Sequence, residues 1–279
     1  MPVTSLDHVG IAGPSLDALA KQYEALGFTL TPFAQHHAPG PDGVMRPIGT
    51  GNHCAMLRQG YLELIAVVDP ALPSNTLDRF LARYTGMHIV AFGIADAAAE
   101  LARLQADGVP IPGIAWLERP VGTPSGTATA RFARLPMPDA PEGRVQLIEH
   151  LTPELLWQPH LLDHANHAVS LDEVIIAATD PAETATRLAR LAATTPSPCE
   201  GGFVVGLGAG RMRIVTKEAA AAALPGLAVP CLPFIAGLRI GTNDGAAAIS
   251  TIAAKRGRRQ ADGFLVGPAD AGGAALLFT

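Results

Sequence analysis

The sequence has few of the features that mark secreted, membrane-spanning or nucleic-acid-binding proteins. Its three cysteines, Cys54, Cys199 and Cys231, are odd in number and form no Cys-x-x-Cys pair, so they disfavour a disulfide framework and favour a reducing compartment. The N-terminus has no basic start followed by an apolar run, and no apolar stretch has the length that a bilayer requires. We therefore expect a cytoplasmic protein without a membrane partner.

Positive charge is also sparse. The net charge is -5, and the only dense basic cluster is Lys-Arg-Gly-Arg-Arg at 255–259, which is more typical of a solvated loop or helix end than of a nucleic-acid surface. Hydrophobic residues make up 48% of the 279 residues, which is enough for a compact core and for two domains. The expected partner is a small-molecule substrate, with the chain acting as a monomer or a homodimer.

A short strand pattern occurs twice, as LDHVGIAG at 6–13 and as LDEVIIAA at 171–178. The first copy opens a β-α-β-β-β order, and the same order restarts near Met87, Leu171 and Phe234. Residues 151–170 differ in composition and connect two halves. The sequence therefore predicts an α+β protein of four such modules, with domains at 1–150 and 171–279.

Four βαβββ modules paired in sequence resemble the vicinal oxygen chelate superfamily, which includes glyoxalase I, extradiol dioxygenases and the bleomycin and fosfomycin resistance proteins. The first half is similar to the glyoxalase-like domain family in LDHVGIAG, GTGNHCAMLRQGYLELIAV and GMHIVAFGIAD. The second half matches by module order and by LDEVIIAATDP. The resemblance implies that each pair of modules curls its mixed sheet into a cup, whose inner face holds a metal and a substrate.

The resemblance also implies where metal ligands would lie, on the first and last strands of each module. In the first half these positions hold His8, Glu63, His88 and Gln146, with Glu149 as an alternative to Gln146 if a bulge turns it inward. Two histidines and a carboxylate suit Zn, Ni, Fe or Mn and leave positions open for a chelating substrate. Such an ion would act as a Lewis acid, and Glu63 would be the catalytic proton carrier.

Other residues are predicted to contact the substrate or to mark the second half as inactive. Asn52 and His53 belong to a glycine-rich motif that enters a strand, and Arg46 lies in a preceding loop that is long enough to cover a site. In the second half Glu173 takes the place of His8, and Arg213 takes the place of Glu63. Phe234 takes the place of His88, and an arginine and a phenylalanine cannot complete a divalent site. We expect Glu173 and Arg213 to pair with each other.

The leading functional hypothesis is a divalent-metal-dependent enzyme of the lyase, isomerase or dioxygenase type, with its site in the first half. The alternative is a metal-independent protein that binds and sequesters a small molecule, as bleomycin resistance proteins do, and a third hypothesis is a catalytically silent paralogue. Gln146 in the fourth ligand position argues against glyoxalase I activity itself. Stoichiometric metal would favour the enzyme, whereas ligand binding insensitive to chelators would favour sequestration.

Overall fold

The computed structural model describes residues 3–137, 140–252 and 256–279, whose strands form two eight-stranded sheets. The strands of the first sheet are β1 (Val3–Ala12), β2 (Ala34–Pro39), β3 (Met45–Met56), β4 (Tyr61–Val67), β5 (Gly86–Ile94), β6 (Ala115–Thr123), β7 (Gly126–Met137) and β8 (Arg144–His150). Those of the second sheet are β9 (Ala168–Ala177), β10 (Ser197–Cys199), β11 (Gly202–Gly206), β12 (Arg211–Val215), β13 (Phe234–Thr242), β14 (Gly257–Gln260), β15 (Gly263–Val266) and β16 (Ala275–Phe278). The described residues also form the helices α1 (Leu16–Ala25), α2 (Leu77–Leu81), α3 (Ala97–Ala106), α4 (Pro181–Ala192), α5 (Lys217–Ala223) and α6 (Gly245–Ile252).

The order of strands confirms the predicted α+β fold of four βαβββ modules paired into two mixed sheets. The first sheet runs β2-β3-β4-β1-β5-β8-β7-β6, so that each module supplies one half. Strands β1 and β5 are antiparallel at the centre, and each is parallel to the last strand of its own module. The second sheet repeats this order. In the first sheet the edge strands β2 and β6 approach each other, which closes the sheet into a cup.

Polar caps fix the helix that follows the first strand of each of the first three modules. The side chains of Ser15, Asp96 and Asp180 accept hydrogen bonds from backbone N–H groups in the first turns of α1, α3 and α4. Gly27 and Gly108 follow the ends of α1 and α3 with positive φ, which glycine adopts without strain. These signals are visible in the sequence, and they explain why the repeated βαβββ order could be predicted from the sequence alone.

The two halves share one apolar core instead of packing as separate globules. Buried side chains of both sheets belong to a single cluster. The N–H of Leu6 donates to the carbonyl of Ala209 at 2.8 Å, and the hydroxyl of Tyr23 donates to the carbonyl of Ala271 at 3.2 Å. The connecting segment is anchored by His164, which is buried and bonds through both ring nitrogens to backbone groups of the first half.

One predicted strand differs from the structure. The sequence suggests a strand over residues 28–33, whereas β2 begins at Ala34. Phe28 is buried against the aromatic ring of Tyr23, and Thr31 bonds to both backbone groups of Cys54. Because the Thr31 hydroxyl replaces a carbonyl in this pairing, the segment follows β3 without joining its ladder.

Two other features of the sequence lie partly outside the described residues. The basic cluster near the C-terminus forms the edge strand β14 from Gly257 onwards, while Lys255 is not among the described residues. Pro138 and Asp139, in the turn expected between β7 and β8, are likewise outside them. In the described part of the chain, every helix is too short or too polar to cross a bilayer.

Candidate functional site

A cavity of about 740 Å³ lies inside the first cup. This volume is in the range that binds small metabolites. The predicted site residues His8, Asn52, Glu63 and Gln146 line it. They reach it from β1, β3, β4 and β8, so the structure brings together side chains that are up to 138 positions apart in the sequence.

A bulge in β1 places two consecutive side chains on the same side of the sheet. The register between β1 and β5 shifts between Leu6 and His8, so Asp7 has no regular partner. Neighbouring residues of a regular strand point to opposite faces, but a bulge removes that alternation locally. Asp7 can therefore contact the imidazole of His8, and an oxygen of its carboxylate lies 2.7 Å from His8 Nδ1.

Asp7 is a buried carboxylate shared by two histidines. Its Oδ2 lies 3.0 Å from Nε2 of His150, while its Oδ1 bonds to His8. Burial alone would raise the pKa of Asp7, but the charge and hydrogen bonds of His150 and His8 outweigh it and lower that pKa below its usual range. Asp7 is thus ionised at neutral pH and is a fixed, buried negative charge beside His8.

The hydrogen bond to Asp7 determines which nitrogen of His8 faces the cavity. If Nδ1 carries the proton that Asp7 accepts, Nε2 is left as an acceptor. Gln146 supports this tautomer, because its amide nitrogen lies 3.3 Å from His8 Nε2 while its oxygen accepts from Arg134 at 3.4 Å. The ring of Tyr61 stacks on the imidazole with 4.5 Å between centroids and fixes its plane.

Glu63 lies at the centre of a second polar network. Its Oε1 accepts a 2.6 Å hydrogen bond from the amide of Asn52, whose own oxygen accepts from Arg119 at 2.7 Å. Burial raises the pKa of Glu63, but His36, His8, Asn52 and Arg119 together lower it below the ordinary value. The cup therefore contains an ionised carboxylate whose orientation is fixed by an amide and a guanidinium.

The structure places His88 outside the cup, in contrast to the expectation that it would join His8 and Glu63. In the register of β1 and β5, His8 is opposite Ala91. His88 lies three residues away, where that register shifts, and it does not line the cavity. There it is fully buried between the rings of Phe80 and Tyr84 and donates from Nε2 to the carbonyl of Tyr84 at 2.8 Å.

The buried position of His88 predicts that the protein loses stability in acid. Burial lowers the pKa of His88 to about 4. Because the folded-state pKa lies below the unfolded value, this contribution is complete above about pH 6.5 and is lost as the pH falls toward 4, at a cost of about 2–3 kcal/mol. In urea unfolding at a series of pH values, His88→Phe should therefore show a smaller loss of stability on acidification than the wild type.

The two proteins are compared by how steeply the free energy of unfolding changes with pH. Its absolute value is not compared, since His88→Phe also removes the hydrogen bond to Tyr84. His36 contributes in the same direction, because burial lowers its pKa to about 4 despite the opposing charge of Glu63. A matched control is His160→Gln, at an exposed histidine, which should keep the wild-type slope. If His88→Phe shows the same dependence of the free energy of unfolding on pH as the wild type, His88 does not cause the loss of stability in acid.

The remaining predicted residues also differ from expectation. His53 does not line the cavity and instead bonds through Nδ1 to the carbonyl of Thr31 at 2.8 Å. Arg46 is exposed and forms a bidentate pair with Asp42 in the hairpin between β2 and β3. Of the two candidates in β8, Gln146 faces the cup, whereas Glu149 accepts from the backbone N–H of Ala97 at 2.8 Å and so caps α3.

These positions test whether the cup suits a divalent metal. A ligand set on the first and last strands of both modules would use His8, Glu63, Gln146 and the residue opposite His8, which is Ala91 and has no donor atom. Glu63 is already held by Asn52. Among the described residues no group of three or more His, Cys, Asp or Glu side chains is arranged to hold an ion. The residues present therefore do not fit the expected metal.

Three arginines that were not predicted as site residues line the cavity: Arg119 on β6, Arg134 on β7 and Arg144 on β8. Each is partly buried, and each alternates with apolar residues along its strand. A charged residue in phase with inward-facing apolar residues is the signal that could have identified them. His36 was also missed as a cup residue, although the loop that contains it was expected to cover the site.

The second sheet confirms that its equivalent positions pair with each other. Glu173 is buried, and its carboxylate lies 3.0 Å from Nε of Arg213, as expected, and 2.5 Å from Nε of Arg211. In the ladder with β13 it faces Arg239. Two arginines satisfy this carboxylate, since Arg239 pairs with Asp262 instead, so the position that is His8 in the first cup has a structural role in the second.

Comparisons with known proteins agree with this architecture. The model of a glyoxalase-like domain matches residues 6–192. A search of curated proteins finds no match. Among solved structures, a hypothetical protein from Staphylococcus aureus has a TM-score of 0.70 at 13% identity, covering 99% of this chain and 98% of that one.

Two further solved structures are enzymes. A mutant of 4-hydroxymandelate synthase from Streptomyces coelicolor has a TM-score of 0.56 at 12% identity and covers 100% of this chain and 92% of that one. A Mn(II)-bound glyoxalase from Novosphingobium aromaticivorans has a TM-score of 0.55 at 11% identity and covers 99% and 82%. At these identities the likeness concerns the fold and not the reaction.

Proposed function

Because the chain belongs to the glyoxalase-like domain family, we propose that its first cup is the active site of an enzyme that moves a proton on a small oxygen-bearing metabolite. The observation that carries the proposal is the Asp7–His8 pair, in which the carboxylate lies 2.7 Å from Nδ1. This leaves Nε2 of a cavity-lining imidazole as the acceptor, at present 3.3 Å from the amide nitrogen of Gln146, which a substrate would displace. An imidazole held by a carboxylate in this way is a suitable general base.

The proposed reaction uses His8 as the group that accepts and returns the proton. His8 Nε2 takes a proton from the substrate, and the ionised Asp7 stabilises the imidazolium that forms. The electron pair that remains on the substrate is stabilised by the guanidinium of Arg119, which lines the same cavity. Return of the proton to another position completes an isomerisation, and loss of a leaving group completes an elimination.

Glu63 has a binding role in this scheme. A carboxylate with a lowered pKa is a poor proton donor at neutral pH, and its geometry is fixed by Asn52 at 2.6 Å. It is therefore placed to accept a hydrogen bond from a hydroxyl group of the substrate. This replaces the expected role of Glu63 as the metal-bound proton carrier.

The experiment that tests the proposal follows carbon-bound protons. The protein is incubated in D₂O with a panel of α-oxo and β-dicarbonyl carboxylic acids, and loss of the carbon-bound proton signal is followed by NMR spectroscopy. At least one compound should exchange faster with the protein than without it. A compound that binds but never exchanges would favour sequestration, the second candidate function, which the fixed geometry of Glu63 would also serve.

A separate prediction concerns metal. Since Ala91 replaces a ligand and Glu63 is held by Asn52, we expect the proton exchange to be independent of a divalent ion. Protein purified without an affinity tag should retain its exchange rate, within about twofold, after EDTA treatment and gel filtration, with metal content checked by mass spectrometry. A rate that falls with EDTA and returns with Zn, Ni, Fe(II) or Mn would contradict this prediction.

A further inference from the structure

Two of the cup arginines lack an ionic partner. Arg119 is engaged by Asn52 and lies near Glu63, but Arg134 and Arg144 have no carboxylate within 4.0 Å among the described residues, which leave out Asp139. Both line the cavity. A buried guanidinium without a counter-charge is costly, so such a pair suggests a site that a ligand completes.

Most hydrogen-bond donors of these two groups are unused. Arg134 donates to the oxygen of Gln146 at 3.4 Å, and its buried Nε has no partner. Arg144 donates from Nη2 to the carbonyl of Asn75 at 2.5 Å and to the hydroxyl of Thr76 at 3.3 Å. Since each guanidinium has five N–H donors, both retain donors that can bind an anion in a bidentate manner.

The electrostatics favour an anion in the same place. Burial lowers the pKa of Arg134, and burial together with the charge of Arg134 lowers the pKa of Arg144 to about 10. Glu63 opposes both shifts but does not cancel them. Two positive groups that raise each other's energy are both stabilised by one negative group placed between them.

The rest of the cavity is mainly apolar. Its wall includes Ile48, Ile65, Ile89 and Ile148, together with the ring of Phe132. A carboxylate or phosphate group alone would fill only a small part of about 740 Å³. Burial of an aliphatic or aromatic group on this wall would supply most of the binding free energy, while the arginines would determine orientation.

We infer that the ligand of this cup is an amphiphilic anion, with a carboxylate or phosphate group bound by Arg134 and Arg144 and an apolar body against the isoleucines. This names the substrate class of the proposed enzyme and rests on that proposal for its catalytic meaning. The binding itself needs neither Asp7 nor a proton transfer. The two claims can therefore be tested separately.

Isothermal titration calorimetry at fixed ionic strength tests the inference with hexanoate, hexyl phosphate and 1-hexanol. The anions should bind wild-type protein at least about tenfold more tightly than 1-hexanol, which corresponds to one charge-assisted hydrogen bond. Tighter binding of hexanoate would indicate a carboxylate ligand, and tighter binding of hexyl phosphate would indicate a phosphate ligand. Equal affinity for the anions and for 1-hexanol would overturn the inference without any variant.

Variants locate the anion. Arg134→Gln and Arg144→Gln should each weaken binding of the tighter anion about tenfold or more and leave 1-hexanol unaffected. Arg58→Gln is the matched control, at an exposed arginine between β3 and β4 that does not line the cavity, and it should bind as the wild type does. Arg144→Lys keeps the positive charge and tests whether anion binding needs the planar guanidinium, which can donate two parallel hydrogen bonds. Unchanged anion affinity in both glutamine variants, with thermal unfolding showing that they fold, would overturn the inference.

A last variant separates this inference from the proposed function. Asp7→Asn should leave the affinity for the tighter anion unchanged, because Asp7 is buried and does not line the cavity. Retained anion binding without proton exchange in the wild type would contradict only the proposed enzyme. Proton exchange without a preference for anions would contradict only the substrate class.

Discussion

Replacing His8 with glutamine should lower kcat for the metabolite identified by proton exchange by about 10²- to 10⁴-fold, which is the usual contribution of a positioned general base. Glutamine is close in size and can still bond to Gln146, so the cavity should keep its shape. Its side chain has no group that accepts a proton at neutral pH. Initial rates from NMR time courses at saturating substrate give kcat. The midpoint of thermal unfolding reports whether the variant is folded.

Asp7→Asn should also lower kcat, by about 10²-fold or more, and leave KM within about twofold. The amide of asparagine can donate a hydrogen bond to His8 Nδ1, which favours the tautomer with its proton on Nε2, where it blocks proton acceptance. Since Asp7 does not touch the cavity, substrate binding should not change. A purely structural role would instead alter kcat and KM together with the unfolding midpoint.

His150 provides a matched control for both variants. It bonds to the same carboxylate as His8, at 3.0 Å, but it does not line the cavity. His150→Gln should therefore change kcat less than about tenfold, because the bond between Asp7 and His8 remains. If His150→Gln lowers kcat as strongly as His8→Gln does, the assignment of His8 as the base is contradicted.

The sequence predicted the module order because each module carries its own local signals. The repeated strand pattern, the helix caps and the turn glycines are all short-range features. The segment 28–33 was misassigned because it follows β3 with the Thr31 hydroxyl in place of a backbone carbonyl, and so does not join the ladder. Propensity alone does not distinguish these two arrangements.

Parts of the site followed from strand alternation, and other parts did not. Strand alternation favoured Gln146 over Glu149, which was expected in the cup only if a bulge turned it inward. In the structure Gln146 lines the cavity, and Glu149 caps α3. The same rule puts Asp7 on the face opposite His8, and only the bulge brings them together. A bulge depends on how β1 pairs with β5, and the sequence of β1 alone does not specify that pairing.

His88 was misplaced for a reason that the sequence could have revealed. It was matched to His8 by residue type and by its place at the start of a strand. The shared Gly-Ile-Ala triplet, at 10–12 and at 93–95, instead aligns His8 with Ala91, the residue that the structure places opposite it. A short backbone motif was here a better guide to register than a chemically attractive side chain.

Arg187→Met should destabilise the protein by about 3–5 kcal/mol, because it leaves Glu142 buried without its partner. Glu142 is fully buried, and Arg187 on α4 donates to both of its oxygens. This pair joins the turn between β7 and β8 to the second half of the chain. Urea unfolding at pH 7.5 measures the change in the free energy of unfolding, and methionine preserves most of the apolar stem of arginine.

The double variant Glu142→Gln/Arg187→Met decides whether the buried charge causes the loss. It removes the uncompensated carboxylate, so it should be more stable than Arg187→Met alone, with a net cost of about 1–2 kcal/mol. Glu183 also contacts Arg187, at 3.3 Å, but is exposed, and Glu183→Gln should cost less than about 1 kcal/mol. If the double variant is no more stable than Arg187→Met, the loss comes from packing against α4 and not from the unpaired charge of Glu142.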